Sequence, residues 1–285
     1  MNSLNTLYQS PYNKKFPVRA FFRFLYWKLI RFFKLKDVKI RIWNDRKILV
    51  NYDSFQSMWL MYNYYVDWEE FNLISKYVRP GDQVFDIGAN MGFYTIWMSK
   101  FIGHGKIHSF EPDDSNFEKL GKNIALNHFQ SSVIANKQAA SDVDGEIRFT
   151  LGLDGENHIV EGQHNGIAIL SQKIDTYTQK HGIKLIAYMK VDVEGFEYAV
   201  LQGAKNILVS KGVDIIQLEL NNTISNSGKS ISDVLELLNR SQYRLCSYDT
   251  NANQLMPTAF SSLRENYFAV NNIDKVNVKL KNGSH

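Results

Sequence analysis

Residues 83–95 read Gln83-Val84-Phe85-Asp86-Ile87-Gly88-Ala89-Asn90-Met91-Gly92-Phe93-Tyr94-Thr95. This stretch decides the fold. Gln83–Ile87 is a short apolar run with β-branched and aromatic residues, the pattern of a buried strand. The loop 88–92 follows, with glycine at both ends, and residues 93–101 then take helical periodicity. Just upstream, residues 67–78 place Phe71, Ile74 and Val78 on one helical face, and Arg79-Pro80-Gly81-Asp82 reads as a turn.

Working outward, the same alternation repeats. Strands are expected at 106–110, 131–136, 185–193 and 213–220, and helices at 116–127, 198–210 and 231–239. Asp142-Val143-Asp144-Gly145 is a hairpin turn signal before a period-two stretch at 146–151. Residues 243–248 and 266–270 read as closing strands. Repeated strand–helix units imply an α/β fold with a mostly parallel sheet and helices on both faces.

The composition agrees. A 285-residue chain that is 44% apolar and 22% charged excludes a mostly disordered polypeptide. A lone cysteine, Cys246, excludes an intramolecular disulfide framework and a cysteine zinc site, and is expected to be a buried thiol. No apolar run is long enough to cross a bilayer, and the N-terminus lacks the pattern of a signal peptide. A cytoplasmic location is the expectation.

In an open parallel sheet the ligand sits outside the carboxyl ends of the strands. Four such ends carry chemistry. The first is Asp86 with the loop Gly88, Asn90, Gly92, whose G-x-x-x-G spacing differs from the G-x-G-x-x-G of dinucleotide sites. The second is Glu111, placed where the second strand presents an acid to ribose hydroxyls. A carboxylate at 86 repels a pyrophosphate and attracts an ammonium. A ligand with a ribose and an ammonium but no pyrophosphate fits both acids, and S-adenosylmethionine is such a ligand. The third end is the turn Ala139-Ala140-Ser141-Asp142.

The fourth is Lys190-Val191-Asp192-Val193-Glu194-Gly195. Period two puts Lys190, Asp192 and Glu194 on one side. Ionisable groups there must pair or do chemistry. Asp192 is the candidate to orient a hydroxyl, take its proton or bind a metal. Glu219 is expected to pair with Lys190, or else to join Asp192 and Asn221 around a cation. Whether a divalent metal takes part is left unknown. His104, His108, His128, His164, His181 and His285 read as surface or turn residues. His158, in a glycine-rich insertion at 152–166, is an alternative general base.

The charge is unevenly spread. Residues 1–50 hold 12 of the 33 Lys/Arg and two acids, a balance of +10, against −6 for residues 51–285. Within 14–36, a helical wheel gathers Arg19, Arg23, Lys28, Arg31 and Lys34 in one half. Phe21, Phe22, Leu25, Tyr26, Leu29, Phe32 and Phe33 fall opposite. Such a basic amphipathic helix suits an anionic membrane surface through residues 14–36, at the inner face of a membrane. A packing helix with solvated cations is the rival. Nucleic acid is not expected, because the acidic body repels phosphate.

Several of these motifs, in order, resemble FkbM-type S-adenosylmethionine-dependent methyltransferases. They are residues 80–82 and 84–95, Phe110-Glu111-Pro112, residues 120–127 and 139–145, residues 190–197, and Leu201-Gln202-Gly203-Ala204. The resemblance implies a class I methyltransferase (Rossmann-like) fold at 67–272, behind a basic N-terminal segment with lead-in strands at 1–66 and before a polar tail at 273–285. It implies O-methylation, commonly of sugar hydroxyls in glycans and glycolipids. By position, Asp86, Gly88, Asn90 and Gly92 would hold the methionine part of S-adenosylmethionine and Glu111 its ribose. Ala140 and Asp142 would border the adenine, and Asp192 and Glu194 would face the methyl and the acceptor, with Lys190 tuning Asp192. The rival functions are a non-catalytic membrane-surface adaptor on the same fold and a nicotinamide-dependent oxidoreductase.

Overall fold

The computed structural model describes residues 7–283 apart from 9, 44, 66 and 150–166. His158 and His164 lie outside the described residues, as do His285 and the whole of the insertion at 152–166.

The central sheet has eight strands. Its parallel part runs β5 (Val133–Asn136), β4 (Lys106–Phe110), β3 (Gln83–Ile87), β9 (Ile186–Val191) and β10 (Val213–Glu219). Three antiparallel strands complete the other edge: β13 (Asn266–Val270), β11 (Arg244–Asp249) and β12 (Gln254–Pro257). A small second sheet joins β6 (Ala139–Ala140), β8 (Ile167–Gln172) and β7 (Gly145–Phe149), and a hairpin pairs β1 (Val38–Ile42) with β2 (Arg46–Val50). From β3 the chain winds outward to β4 and β5. From its neighbour β9 it winds the opposite way, to β10. The β3/β9 boundary is therefore the topological switch point, where a crevice opens at the strand ends.

Side chains alternate across this sheet as period two demands. Val84, Ile107, Tyr188 and Ile215 join one core, while Phe85, Ile87, Met189 and Ile216 join the other. Both faces are thus covered, which explains why the central strands read as nearly continuous apolar runs. Cys246 is buried, as expected, and burial pushes its thiol up to about 12.

The helices are α1 (Pro11–Lys15), α2 (Pro17–Phe32), α3 (Phe55–Asn63), α4 (Trp68–Tyr77), α5 (Phe93–Met98), α6 (Asp114–Leu126) and α7 (Ile174–Lys180). They continue with α8 (Glu197–Gly203), α9 (Lys205–Val209), α10 (Ile231–Arg240) and α11 (Ile273–Lys281). The expected single helix at 198–210 is two helices meeting at Ala204. At the end of α8 a Cβ on Gly203 would lie 1.9 Å from the Ser141 carbonyl oxygen, so only glycine admits that turn.

The structure revises three further expectations. His108 is not a surface residue: it sits inside β4, its ring nitrogens 2.8 Å from the Tyr177 hydroxyl and 2.9 Å from Gln83 Oε1. Burial holds it neutral, with a pKa lowered to about 4. The segment read as a polar tail folds as α11, capped by Asn272 and burying Val276 and Leu280. Lys275 and Lys279 tie it to Asp214 at 2.7 Å and Asp82 at 3.1 Å. The basic helix begins at Pro17, because Pro17 turns the backbone of Phe16 out of helical geometry. It packs through a stripe, Ala20, Phe24, Trp27 and Ile30, that lies among the cations of the basic half of the wheel, while the aromatic half stays exposed.

Candidate active site

Asp86 and Lys190 are register partners across β3 and β9. Both point to the face covered by α5, and both are buried. The Lys190 ammonium lies 3.0 Å from Asp192 Oδ2, 3.8 Å from Asp86 Oδ1 and 3.2 Å from the Gly88 carbonyl oxygen, and it sits over the Tyr94 ring at 4.8 Å. Burial alone would lower its pKa; the carboxylates of Asp192 and Asp86 outweigh burial and hold it above the usual lysine value. Asp86 also accepts a 2.6 Å hydrogen bond from Thr95 Oγ1, which in turn meets Ser109 Oγ at 2.7 Å. Asp86 therefore meets a cation of the chain itself and is fully enclosed beneath the glycine loop.

Strand β9 stops at Val191 because Glu194 and Gly195 take positive φ, 52° and 105°. A Cβ on Gly195 would lie 2.1 Å from the Thr223 carbonyl oxygen. Glu197 clamps this turn: its Oε1 accepts from the backbone N–H of Val193 at 3.1 Å and of Gly195 at 3.2 Å. Across the crevice a Cβ on Gly88 would lie 1.8 Å from the Asp192 carbonyl oxygen, so the two strand ends touch only because residue 88 has no side chain. Asn90 is also left-handed, with φ 50°. Non-glycine residues, Asn90 and Glu194, thus take left-handed backbone at both neighbouring strand ends.

Asp192 is the charged group that opens to the crevice, with 36% of its side chain exposed. Burial would raise its pKa, but Lys190 and a hydrogen bond from Glu219 lower it, so it is a carboxylate at neutral pH. Glu219 is pushed the other way, up to about 9, by burial and by the Asp192 charge. The pairing with Lys190 that the sequence suggested is not made; Glu219 lies within hydrogen-bond reach of Asp192 and accepts 2.8 Å from Asn221 Nδ2. Glu194 arrives through the turn rather than the strand pleat. Asp192, Glu194 and Glu219 each bring an oxygen within 4.8 Å of the others. Such oxygens can share a proton or ligate a hard cation.

Glu111 stands at the end of β4. Its two oxygens accept from the backbone N–H of Asn90 at 2.7 Å and of Asp113 at 2.9 Å. Burial pushes it up to about 7. It locks the glycine loop while keeping a lone pair on each oxygen. Asp142 is exposed beyond Ala140, and the turn that carries them lies against Gly203. The donor set suits a nucleoside with a positive centre and no pyrophosphate: carboxylates line the strand ends, and Lys190, the cation there, is already paired.

Sequence reasoning missed the layer beneath. Tyr94 donates 2.5 Å to Asp67 Oδ2 and accepts 2.9 Å from Gln217 Nε2, while Tyr188 donates 2.6 Å to Gln217 Oε1. Burial raises the pKa of Asp67, and the Asp192 charge adds to it. Asp67 precedes α4 and reads as an ordinary N-cap, yet its side chain makes no capping bond. Tyr94, beside the glycine loop, was the usable signal.

A family model described as "Methyltransferase FkbM domain" matches residues 86–245. Three curated proteins are similar to the chain. "Methyltransferase sdnD" of Sordaria araneosa is 27% identical over 153 residues, 42% of this chain and 59% of that one. "Hexuronic acid methyltransferase AglP" of Haloferax volcanii is 22% identical over 192 residues, 66% and 74% of the two chains. "31-O-demethyl-FK506 methyltransferase FkbM" of Streptomyces tacrolimicus is 26% identical over 147 residues, 50% and 55%. The chain thus spans little more than half the length of two of these relatives.

Proposed function

The chain belongs to the FkbM methyltransferase family, and we propose that it is an S-adenosylmethionine-dependent O-methyltransferase whose acceptor is a sugar hydroxyl. The observation that carries the reading is the Lys190–Asp192–Glu219 cluster, set one strand from the glycine loop at the switch point. Family membership argues against the nicotinamide reading. The sugar acceptor is supported by the similarity to a protein described as a hexuronic acid methyltransferase.

S-adenosylmethionine, when bound, would supply an electrophilic methyl on a sulfonium centre, with a neutral thioether as the leaving group. Gly88, Asn90 and Gly92 are the residues to hold its amino-acid end, Glu111 its ribose, and Ala140 with Asp142 the adenine side. Asp86 acts through Lys190, holding the ammonium beside Asp192. Asp192, ionised and open to the crevice, would accept a hydrogen bond from the acceptor hydroxyl and take its proton. Glu219, protonated, donates a hydrogen bond to Asp192 and helps hold it ionised. Glu194, at the mouth, faces the acceptor. Much of the rate comes from positioning.

The test uses the purified chain, labelled S-adenosylmethionine and a panel of uronic acids and neutral glycosides. Asp192→Asn is expected to cut turnover about 100-fold or more while cofactor affinity by calorimetry stays unchanged. Full activity in that variant would move the base elsewhere. Cofactor binding without transfer to any acceptor would favour the non-catalytic adaptor.

A further inference from the structure

We propose that the outward face of α2 docks onto an anionic lipid bilayer and holds the protein against the headgroup layer. This goes beyond the methyl-transfer reading and does not depend on it.

The helix has two apolar faces. One is spent on the body: Ala20, Phe24, Trp27 and Ile30 are buried. The other is bare. Val18 is 66% exposed, Phe22 64%, Leu29 53%, Phe32 79% and Phe33 63%. At 100° per residue these side chains lie opposite the buried stripe. The orientation is fixed by Arg23, which the wheel had grouped with solvated cations. Its Nε donates 2.7 Å to the Met61 carbonyl and its Nη2 2.6 Å to Asn13 Oδ1. Asn13 in turn donates to the carbonyls of Leu7 and Tyr62 at 2.6 and 2.5 Å. The helix cannot roll its bare face inward without breaking this buried set. A row of exposed large apolar side chains on a locked helix is an interaction surface rather than scattered exposure.

The charges say what covers it. Residues 14–36 hold eight Lys/Arg and no acid. Among the described residues none of Lys14, Lys15, Arg19, Lys28, Arg31 and Lys34 forms an ion pair, whereas Lys36 meets Asp53 at 3.4 Å. On the wheel Arg19 and Lys28 flank the bare face on either side, Lys14 and Lys15 precede it, and Lys34 follows it. Aromatic rings between flanking cations match the acyl boundary with phosphates at its rim. A second copy fits badly, because two such faces would oppose cation to cation. No helix among the described residues is long and apolar enough to cross a membrane, so the fit is a helix lying in the interface.

The full chain is sedimented with vesicles of phosphatidylcholine alone and with mixed phosphatidylcholine–phosphatidylglycerol vesicles, at low and raised salt. Pelleting with the mixed vesicles, weakened by salt, is expected. The triple variant Phe22→Ser, Phe32→Ser, Phe33→Ser should bind about tenfold more weakly or worse, with far-ultraviolet dichroism and cofactor affinity unchanged. In a separate variant, Phe32→Trp, the indole emission should shift to the blue on adding mixed vesicles. Wild-type protein that stays in the supernatant with both vesicle types overturns the proposal, as does a triple variant that pellets like wild type. A dimer in solution that the triple substitution dissolves would assign the face to a second copy and overturn it as well.

Discussion

Glu219 and Asp192 are two carboxyls within reach of one proton, and their environments drive them apart. Asp192 has the Lys190 ammonium and ionises easily; Glu219 has burial and a neighbouring anion, and keeps its proton up to about pH 9. Glutamine is the neutral isostere of that protonated state. It can still donate to Asp192 and accept from Asn221. Glu219→Gln should therefore retain activity within about threefold, whereas Glu219→Ala should lose about tenfold or more, since a buried donor to a charged group is worth roughly 1.5–3 kcal/mol. The pH profile of kcat/KM separates the roles further. In the wild type, activity should fall as pH rises through about 9, where Glu219 ionises and repels Asp192. That limb should vanish in Glu219→Gln. A glutamine variant that is dead at neutral pH would mean that Glu219 works as an anion, for instance as a cation ligand. At this scale the sequence was informative where the pleat decides placement: Lys190 and Asp192 do meet, two residues apart. It was silent where the fold decides. Gln217 and Tyr94 meet across 123 residues, and no spacing rule reaches that far.

At the scale of elements, α2 was legible as a helix with an exposed aromatic half, but the stripe that packs on the body was not legible. The wheel sums hydrophobicity, so the seven aromatic and aliphatic residues at 21–33 outweigh the four that actually pack. The buried stripe hides among cations because one of them, Arg23, is buried too, its pKa lowered to about 10 by burial. The strands of the central sheet were easier, being continuous apolar runs between turn residues; Asn266–Val270 is found with the bounds its sequence suggested. Helix α11 was harder, since two buried residues, Val276 and Leu280, make too narrow a stripe to stand out among polar neighbours. The two faces of α2 can be told apart by stability alone. Trp27 is 1% exposed and Phe32 79% exposed. Trp27→Ala should cost about 3–5 kcal/mol, and Phe32→Ala should stay within about 0.5 kcal/mol, both read from denaturant midpoints. Equal effects would mean that the outer face packs on something in the free protein.

At the scale of the whole molecule, the fold buries more carboxyls than it pairs. Glu70 is pushed up to about 8, Glu111 and Glu197 to about 7, and Glu219 to about 9, each first of all by burial. In every case the folded protein binds its proton more tightly than the unfolded chain does. The sign follows from linkage: where the folded state holds more protons, stability falls as pH rises. Each of these carboxyls contributes fully below its unfolded value of 4.5 and loses that contribution as pH rises through its folded value. Asp192 acts in the opposite sense, with a folded value below its ordinary 3.8, so its stabilisation is lost only in stronger acid. Resistance to denaturant should therefore be greatest near pH 5 and decline steadily toward pH 9, by on the order of 1 kcal/mol or more for each carboxyl that ionises. Urea midpoints collected across that range test it. In Glu219→Gln the decline should be shallower above pH 7, because the group with the highest folded value no longer titrates. A midpoint that rises from pH 5 to pH 8 would mean that these carboxyls are charged and paired in solution, and that the proton shared by Asp192 and Glu219 is not held there.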